Sequence, residues 1–406
     1  FLGGRTTNLD QLQINQSEVV INWTPLDTDA ATFGSDGLVN NPIDILPAGR
    51  TLRFVSNGLD YTVLNRVLPV ASADGRPVQF NGIVDSFTDL AATTTGGNIW
   101  FYSPGGIIAG ATSRFDVGSL VLTTNDIDTT GGLFGSSGEM RFAGIADSSS
   151  SIQINAGAQI NALNNGSSYV AMVAPRIVQG GTVNVDGSAA YVAAEQASLT
   201  INNGLFDISI GVGTSDANGV VHTGTTTGSA STPIFGQNGV IDADAQAIYM
   251  VAVPKNDALT MLVGGSIGYQ PAAAASIVNG NVVLSAGADV ATTGSQTNAS
   301  FAIDKTAADS DSNIQFQNAD SSTGTQNLLL EARNQIDINA LGGGTIGANG
   351  NVPLRAGTDG IGGTININTD QIGFGDSIIS GLIATGDLIV DTSATGRDDF
   401  DAVRNN

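Results

Sequence analysis

Ser151-Ile152-Gln153-Ile154-Asn155, Thr182-Val183-Asn184-Val185-Asp186 and Ser198-Leu199-Thr200-Ile201-Asn202 repeat one pattern: an apolar residue at every second position, closed off by Asn, Asp or Gly. Period two places the apolar side chains on one face of an extended strand and the polar ones on the other. The pattern returns at Val282-Val283-Leu284-Ser285-Ala286-Gly287, Gln335-Ile336-Asp337-Ile338-Asn339 and Thr364-Ile365-Asn366-Ile367-Asn368. The spacing between like segments is on the order of 20 residues, the length of one coil in a β-solenoid. A single coil cannot bury its inward apolar row, whereas stacked coils can, and they build parallel sheets along the axis. The expected fold is all-β: a right-handed parallel β-helix with an N-terminal cap and some extra-helical strands. At about 4.8 Å per coil, 14 to 18 coils would make a rod roughly 70 to 90 Å long.

Composition agrees with a turn-rich β-protein. Gly accounts for 53 of the 406 residues, aromatics for 6% and charged residues for 13%, about half the usual share. At 41% hydrophobic residues, a disordered polar chain is excluded. The net charge of −23 is spread along the chain, and with only 14 Lys and Arg there is no basic patch for a nucleic acid. The absence of cysteine excludes disulfides and thiolate chemistry. No run of about 20 apolar residues offers a transmembrane helix. Phe1-Leu2-Gly3-Gly4-Arg5 lacks the basic start and apolar segment of a signal peptide and reads as the start of a mature product.

A second stretch bears on function. Gly97-Asn98-Ile99-Trp100-Phe101-Tyr102 runs into Ser103-Pro104-Gly105-Gly106, then Ile107-Ile108, and on to Asp116-Val117-Gly118-Ser119-Leu120-Val121-Leu122-Thr123-Thr124. This resembles the haemagglutination-activity (two-partner secretion) domain of filamentous-haemagglutinin-like exoproteins, with its Asn-Pro-Asn-Gly turn and Val-Gly-Gly-Leu-Val-Ala-Ser-Thr run. Val20-Ile21-Asn22-Trp23 is similar to the family's early strand, and Tyr61 to Val67, with Asn65 and Arg66, to its Leu-Asn-Arg-Val segment. Order and spacing agree from about Val19 to Phe206. Two departures stand out: Ser103 and Gly105 replace the asparagines of the turn, and residues from about Phe33 to Phe54, punctuated by Pro42 and Pro47, read as an insertion.

The resemblance implies a secreted, extracellular or cell-surface protein of a Gram-negative bacterium. Its export partner would be an outer-membrane transporter barrel whose POTRA domains bind the extended chain. The secretion-motif residues would be Asn65, Arg66, Ser103, Pro104, Gly105, Gly106, Val117 and Gly118. The expected organisation is an N-terminal extension (1–18), a secretion-like β-helix domain (19–211), a Gly/Ser/Thr-rich excursion (212–235), further solenoid coils (236–395) and a polar C-terminal end (396–406). The excursion contains His222, the sole histidine, which reads as a solvated loop residue.

Catalytic and metal constellations are sparse. Asp309-Ser310-Asp311-Ser312-Asn313 has alternating oxygen ligands but lacks the Gly and final Glu of an EF-hand, leaving weak calcium binding at Asp309, Asp311 and Asn313 as the only cofactor reading. Acidic pairs at Asp126/Asp128 and Asp242/Asp244 invite comparison with β-helix polysaccharide lyases, but basic partners do not cluster with them in sequence. Lys255 and Lys305 carry no assigned chemistry. The expected function is therefore non-enzymatic, adhesive or fibre-forming by end-to-end assembly into a homo-polymer, with host or cell-surface glycans as a further partner class. The Gln11-Leu12-Gln13-Ile14 alternation is the proposed donated strand, through Leu12 and Ile14. The alternatives are a secretion domain of a larger adhesin or contact-dependent toxin, and a lyase.

Overall fold

The computed structural model describes residues 2–25, 42–70, 75–164, 167–202, 204–229, 246–269, 281–293, 300–305, 312–320, 328–340, 354–356, 364–369, 382–384 and 388–391. Every regular element among them is a β-strand. One coil shows how the sequence makes the repeat. Arg176–Gln179 and Thr182–Val185 alternate half-exposed and buried positions, whereas Ser188–Ala193 is buried throughout. Gly180-Gly181 and Asp186-Gly187 make the two corners between them, where small or turn-forming residues let stacked backbones approach. Each coil thus has three walls. Two belong to a 19-stranded sheet A, and the third to an 11-stranded, all-parallel sheet B. The chain is a parallel β-helix.

Parallel register carries each inward position from coil to coil. Val78, Ile107, Ile152, Ile177 and Val220 form one inner column, and Val84, Phe115, Ile160 and Val183 a second. Sheet B contributes a third: Val63, Ile99, Leu120, Val170, Ala189, Ile248, Val282 and Leu328. All are at most 1% exposed. Burying an aliphatic side chain of this size is worth about 2 kcal/mol, so the columns are the main source of cohesion along the axis.

Sheet B is buried on its outer face as well. A 6-stranded antiparallel sheet C lies over it, built from Asp126–Ile127, Glu139–Ala143, Gln196–Asn202, Leu205–Val212, Ala288–Thr293 and Ser300–Lys305. Between them, Trp100, Val121, Ala171, Val192, Tyr249 and Val283 of sheet B meet Met140, Phe142, Leu199, Phe206 and Val290 in a second core. This explains why runs such as Tyr169–Ala174 and Ala247–Ala252 are apolar without alternation: neither of their faces meets water.

Three expectations are corrected. First, Ser198 to Asn202 alternates like a coil strand but pairs antiparallel in sheet C, because it packs outside sheet B. Such hairpins lengthen the coils: register partners Asn161 and Asn184 are 23 positions apart, but Asp116 and Asn161 are 45 apart, with Asp126–Ala143 intervening. Among the described residues sheet B has eleven strands, one per coil, which at about 4.8 Å each span roughly 50 Å. Second, the excursion over 212–235 gives way to coil structure. Val220–His222 and Thr225–Gly228 are parallel strands of sheet A, because Val220, Thr226 and His222 take inward positions; residues 230–245 lie outside the described set. Third, the Leu12/Ile14 strand is not free for donation. Leu9–Gln13 pairs with Leu2–Arg5 on one edge and Thr51–Val55 on the other, and Ile14 is 1% exposed in the core.

Replacing Phe115 by Ala, which opens a cavity against the rings of Phe80 and Phe101, should lower the free energy of unfolding by about 3–5 kcal/mol. Asn184→Ala, on the outer face, should cost under about 1 kcal/mol. Urea titration followed by the emission of the two tryptophans checks both, and equal losses would show that the inner column does not dominate.

Candidate functional site

The turn Ser103-Pro104-Gly105-Gly106 is a corner, carrying the chain from the sheet B strand Asn98–Tyr102 to the sheet A strand Ile107–Ala109. Gly106 N–H donates to Ser103 O at 3.3 Å, closing it. Gly106 has φ +125°, a conformation that side-chain-bearing residues rarely adopt. Gly105 rests on the backbone carbonyl of Arg76, and a β-carbon there would collide with it. From the next coil, Thr123 O accepts Ser103 N–H at 3.1 Å. The corner is therefore clamped from both neighbouring coils. Ser103 is fully buried and its Oγ finds no hydrogen-bond partner among the described residues.

Val117 and Gly118 form the adjoining corner. Val117 is an inward core residue at the end of Arg114–Val117, and Ser119–Thr123 begins at once in sheet B. Only Gly118 intervenes. Its N–H donates to Gly97 O at 3.0 Å, and a β-carbon would lie 2.7 Å from that oxygen. What reads in sequence as one run, Val117 to Thr124, is two strands on two walls.

Asn65 and Arg66 sit on opposite faces of the sheet B strand Thr62–Val67. Asn65 is fully buried and spans three coils: its Oδ1 accepts Trp23 Nε1–H at 2.9 Å, and its Nδ2 donates to Trp100 O at 3.1 Å. Arg66 points the other way, where Nη2 donates to Ile127 O at 2.8 Å and pairs with Asp126 at 3.0 Å. It lies beside Tyr102 in register, whose hydroxyl is pushed up to about 12 by burial and, secondarily, by the Asp126 charge. Arg66 thereby ties sheet B to sheet C. The fold thus places Ser103 to Gly106 and Val117-Gly118 at corners and Asn65 and Arg66 at links between neighbouring elements.

The other candidates separate. Asp126 pairs with Arg66, and Asp128 with Arg141 at 3.1 Å, so the acidic pair has basic partners that sequence distance concealed. The Asp128 carboxyl is held below its usual range, first by the Thr130 backbone N–H and then by the Thr130 side chain, with Arg141 contributing less. Asp242, Asp244, Asp309 and Asp311 lie outside the described residues. Asn313 engages its amide between coils, donating to Thr260 Oγ1 at 3.2 Å and accepting from Asn334 Nδ2 at 2.8 Å. Among the described residues no cluster of three or more His, Asp or Glu is arranged to hold a metal. No helix among them is long and apolar enough to cross a membrane.

His222 is a correction: it is fully buried inside the solenoid, not solvated in a loop. Its position between Val220 and the Thr225–Gly228 strand was the available signal, masked by the surrounding Gly and Thr. Lys255 also has a role its sequence context hid. Its Nζ lies 2.9 Å from both Asp147 and the buried Glu195, fastening the corner after Ala252 to the base of sheet C.

No protein-family model matches the chain, and no curated protein matches it. Among solved structures it is similar to the HMW1 secretion domain from Haemophilus influenzae, at 13% identity and a TM-score of 0.44, over 96% of this chain and 97% of that one.

Asn65→Ala should destabilise the protein by about 2 kcal/mol, since it leaves a buried carbonyl and the Trp23 indole N–H without their partner. The emission of Trp23 should shift to longer wavelength as its ring loosens. Ser103→Ala, which removes a hydroxyl that makes no bond, should leave the urea midpoint unchanged or raise it.

Proposed function

We propose that the chain is exported unfolded through an outer-membrane barrel of the two-partner type and works outside the cell as a non-enzymatic β-helix protein that assembles end to end. The observation that carries the export reading is the burial of the motif. Asn65, Ser103, Gly106, Val117 and Gly118 are all enclosed in the folded solenoid. A transporter that reads these positions reads them before folding, when the segment Ile99 to Val121 is extended and can add to a POTRA sheet through its backbone edge. Folding outside then removes the motif from reach and makes passage one-way. The absence of cysteine suits threading through an oxidising compartment.

The assembly part has its own support. Among the described residues the sheet B strand Glu18–Trp23 pairs on one side only, with Thr62–Val67. It alternates exposed and half-buried positions and presents Val20 at 42% exposure. An edge of this kind accepts another strand, and contacts between unlike ends of a solenoid propagate without closing. The non-enzymatic reading is supported by the engagement of the acidic side chains of the first coils: Asp10, Asp85, Asp116, Asp126 and Asp128 all pair with arginines.

The export reading is tested by capture on immobilised POTRA domains of a two-partner barrel. Chain diluted from urea should bind, refolded chain should not, and replacing Ile99 to Val121 with a Gly/Ser segment should abolish capture. Equal capture of folded chain would overturn it. For assembly, electron microscopy should show filaments from the purified chain and single rods from Val20→Lys; rods from the unaltered chain at every concentration and calcium level would exclude end-to-end growth.

A further inference from the structure

The inner column that begins with Phe80, Ala109 and Ile154 changes character in mid-molecule. Its next members are Gln179 and His222, before Val263 and Phe316 restore it. Gln179 and His222 are both fully buried. The imidazole Nδ1 lies 2.7 Å from Gly264 O, and Nε2 lies 2.9 Å from Thr226 Oγ1. Thr226 Oγ1 is in turn 2.8 Å from the Tyr191 hydroxyl. A carbonyl can only accept, so Nδ1 carries the hydrogen and the tautomer follows from the bonds. Nε2 then accepts from the Thr226 hydroxyl, which accepts from Tyr191. Every hydrogen runs one way, from Tyr191 through Thr226 and His222 to Gly264.

That chain is complete only for neutral imidazole. A second proton on Nε2 would face the Thr226 hydrogen, so Thr226 must turn and donate to the Tyr191 hydroxyl, which leaves the Tyr191 hydrogen without the acceptor it had. The groups around the ring cannot compensate the charge. Gln179 faces it from the preceding coil, Thr226 from the next wall, Tyr191 from sheet B, and Val263 with the Gly264 carbonyl from the following coil. Tyr191 is the one titratable group among them, and its hydroxyl is pushed up by burial. None is a carboxylate. The strand Val220–His222 is thinly held here, meeting the following coil through Val221 with Leu262 and His222 with Val263, while Thr225–Gly228 pairs over four positions, Ser266 to Tyr269.

We propose that His222 is an acid-operated joint in the solenoid: a second proton on its ring opens the coil Val220–Gly228 and releases the strand Leu259–Tyr269 from it, while the coils up to Ala193 stay folded. The direction in pH follows from where the proton binds. Burial lowers the folded-state pKa of His222 from the ordinary 6.5 to about 4. Between these values the opened chain holds a proton that the closed one does not, so closure is favoured fully above pH 6.5 and weakens as pH falls. The opening equilibrium should rise up to tenfold per pH unit, roughly 150-fold by pH 4 and approaching about 300-fold below it.

Hydrogen exchange resolved by peptide tests this, after correction for the intrinsic pH dependence of exchange. Protection of 220–228 and 259–269 should fall with a slope near one proton between pH 6 and 4.5, with 169–193 unaffected. His222→Gln, whose amide can still donate to Gly264 O, should flatten that slope. A slope of zero in the unaltered chain, or loss of protection in all three segments together, would overturn the proposal whether or not the variant folds. An unchanged slope in a folded His222→Gln would do so too.

Discussion

Register is the constraint on which everything else in this molecule depends. Because each strand pairs in parallel with the equivalent strand of the next coil, a residue's neighbours along the axis are set by position in the coil and not by local sequence. An inward column of Ile, Val, Leu and Phe can be continued by any apolar residue of similar bulk, which tolerates wide sequence change. The outward columns tolerate polar residues that bond to their own kind, as Asn184 to Asn161 and Asn161 to Asp116 do at 2.8 Å. What register does not tolerate is a β-carbon where two corners touch, and this is why Gly105 and Gly118 are fixed by geometry.

The same constraint explains how much was legible. Alternation at Ser151–Ile154 and Thr182–Val185 reveals the coil walls because one face meets water and the other does not. Gln196–Asn202 shows an equal alternation for a different reason, its apolar face lying on the outside of sheet B, so periodicity alone could not separate coil from hairpin. The count of coils failed for the same cause. At Val220–Gly228 the strands are written in Thr and Gly, whose composition suggests a loop; Thr226 is inward nevertheless, since its hydroxyl is satisfied by Tyr191 and His222.

The motif residues show a parallel limit. Resemblance singled them out, but their structural work in the folded chain was not legible. Asn65 joins Trp23 to Trp100 across three coils, Arg66 joins sheet B to the hairpin at Asp126, and both partners are remote in sequence. Residues that a transporter would meet in the extended chain are, once folded, structural links. Under the proposed export, one set of side chains would serve both ends because the two uses are separated in time by folding.

Polar groups inside such a solenoid are then informative in proportion to how completely they are satisfied. Asn65 uses both ends of its amide, and its loss should act uniformly with pH. The chain through His222 is complete in one protonation state alone, because the acceptor at Gly264 fixes one nitrogen and the Thr226 hydroxyl, which accepts from Tyr191, supplies the other. Two buried polar residues of the same core thus differ in kind: one holds the stack under all conditions, and the other holds it on condition that the medium stays near neutral. A hydrophobic residue would have served packing at position 222 as well as Val263 does one coil later. The difference lies only in the proton that imidazole can take up, and it falls where Val220–His222 meets the following coil over two positions.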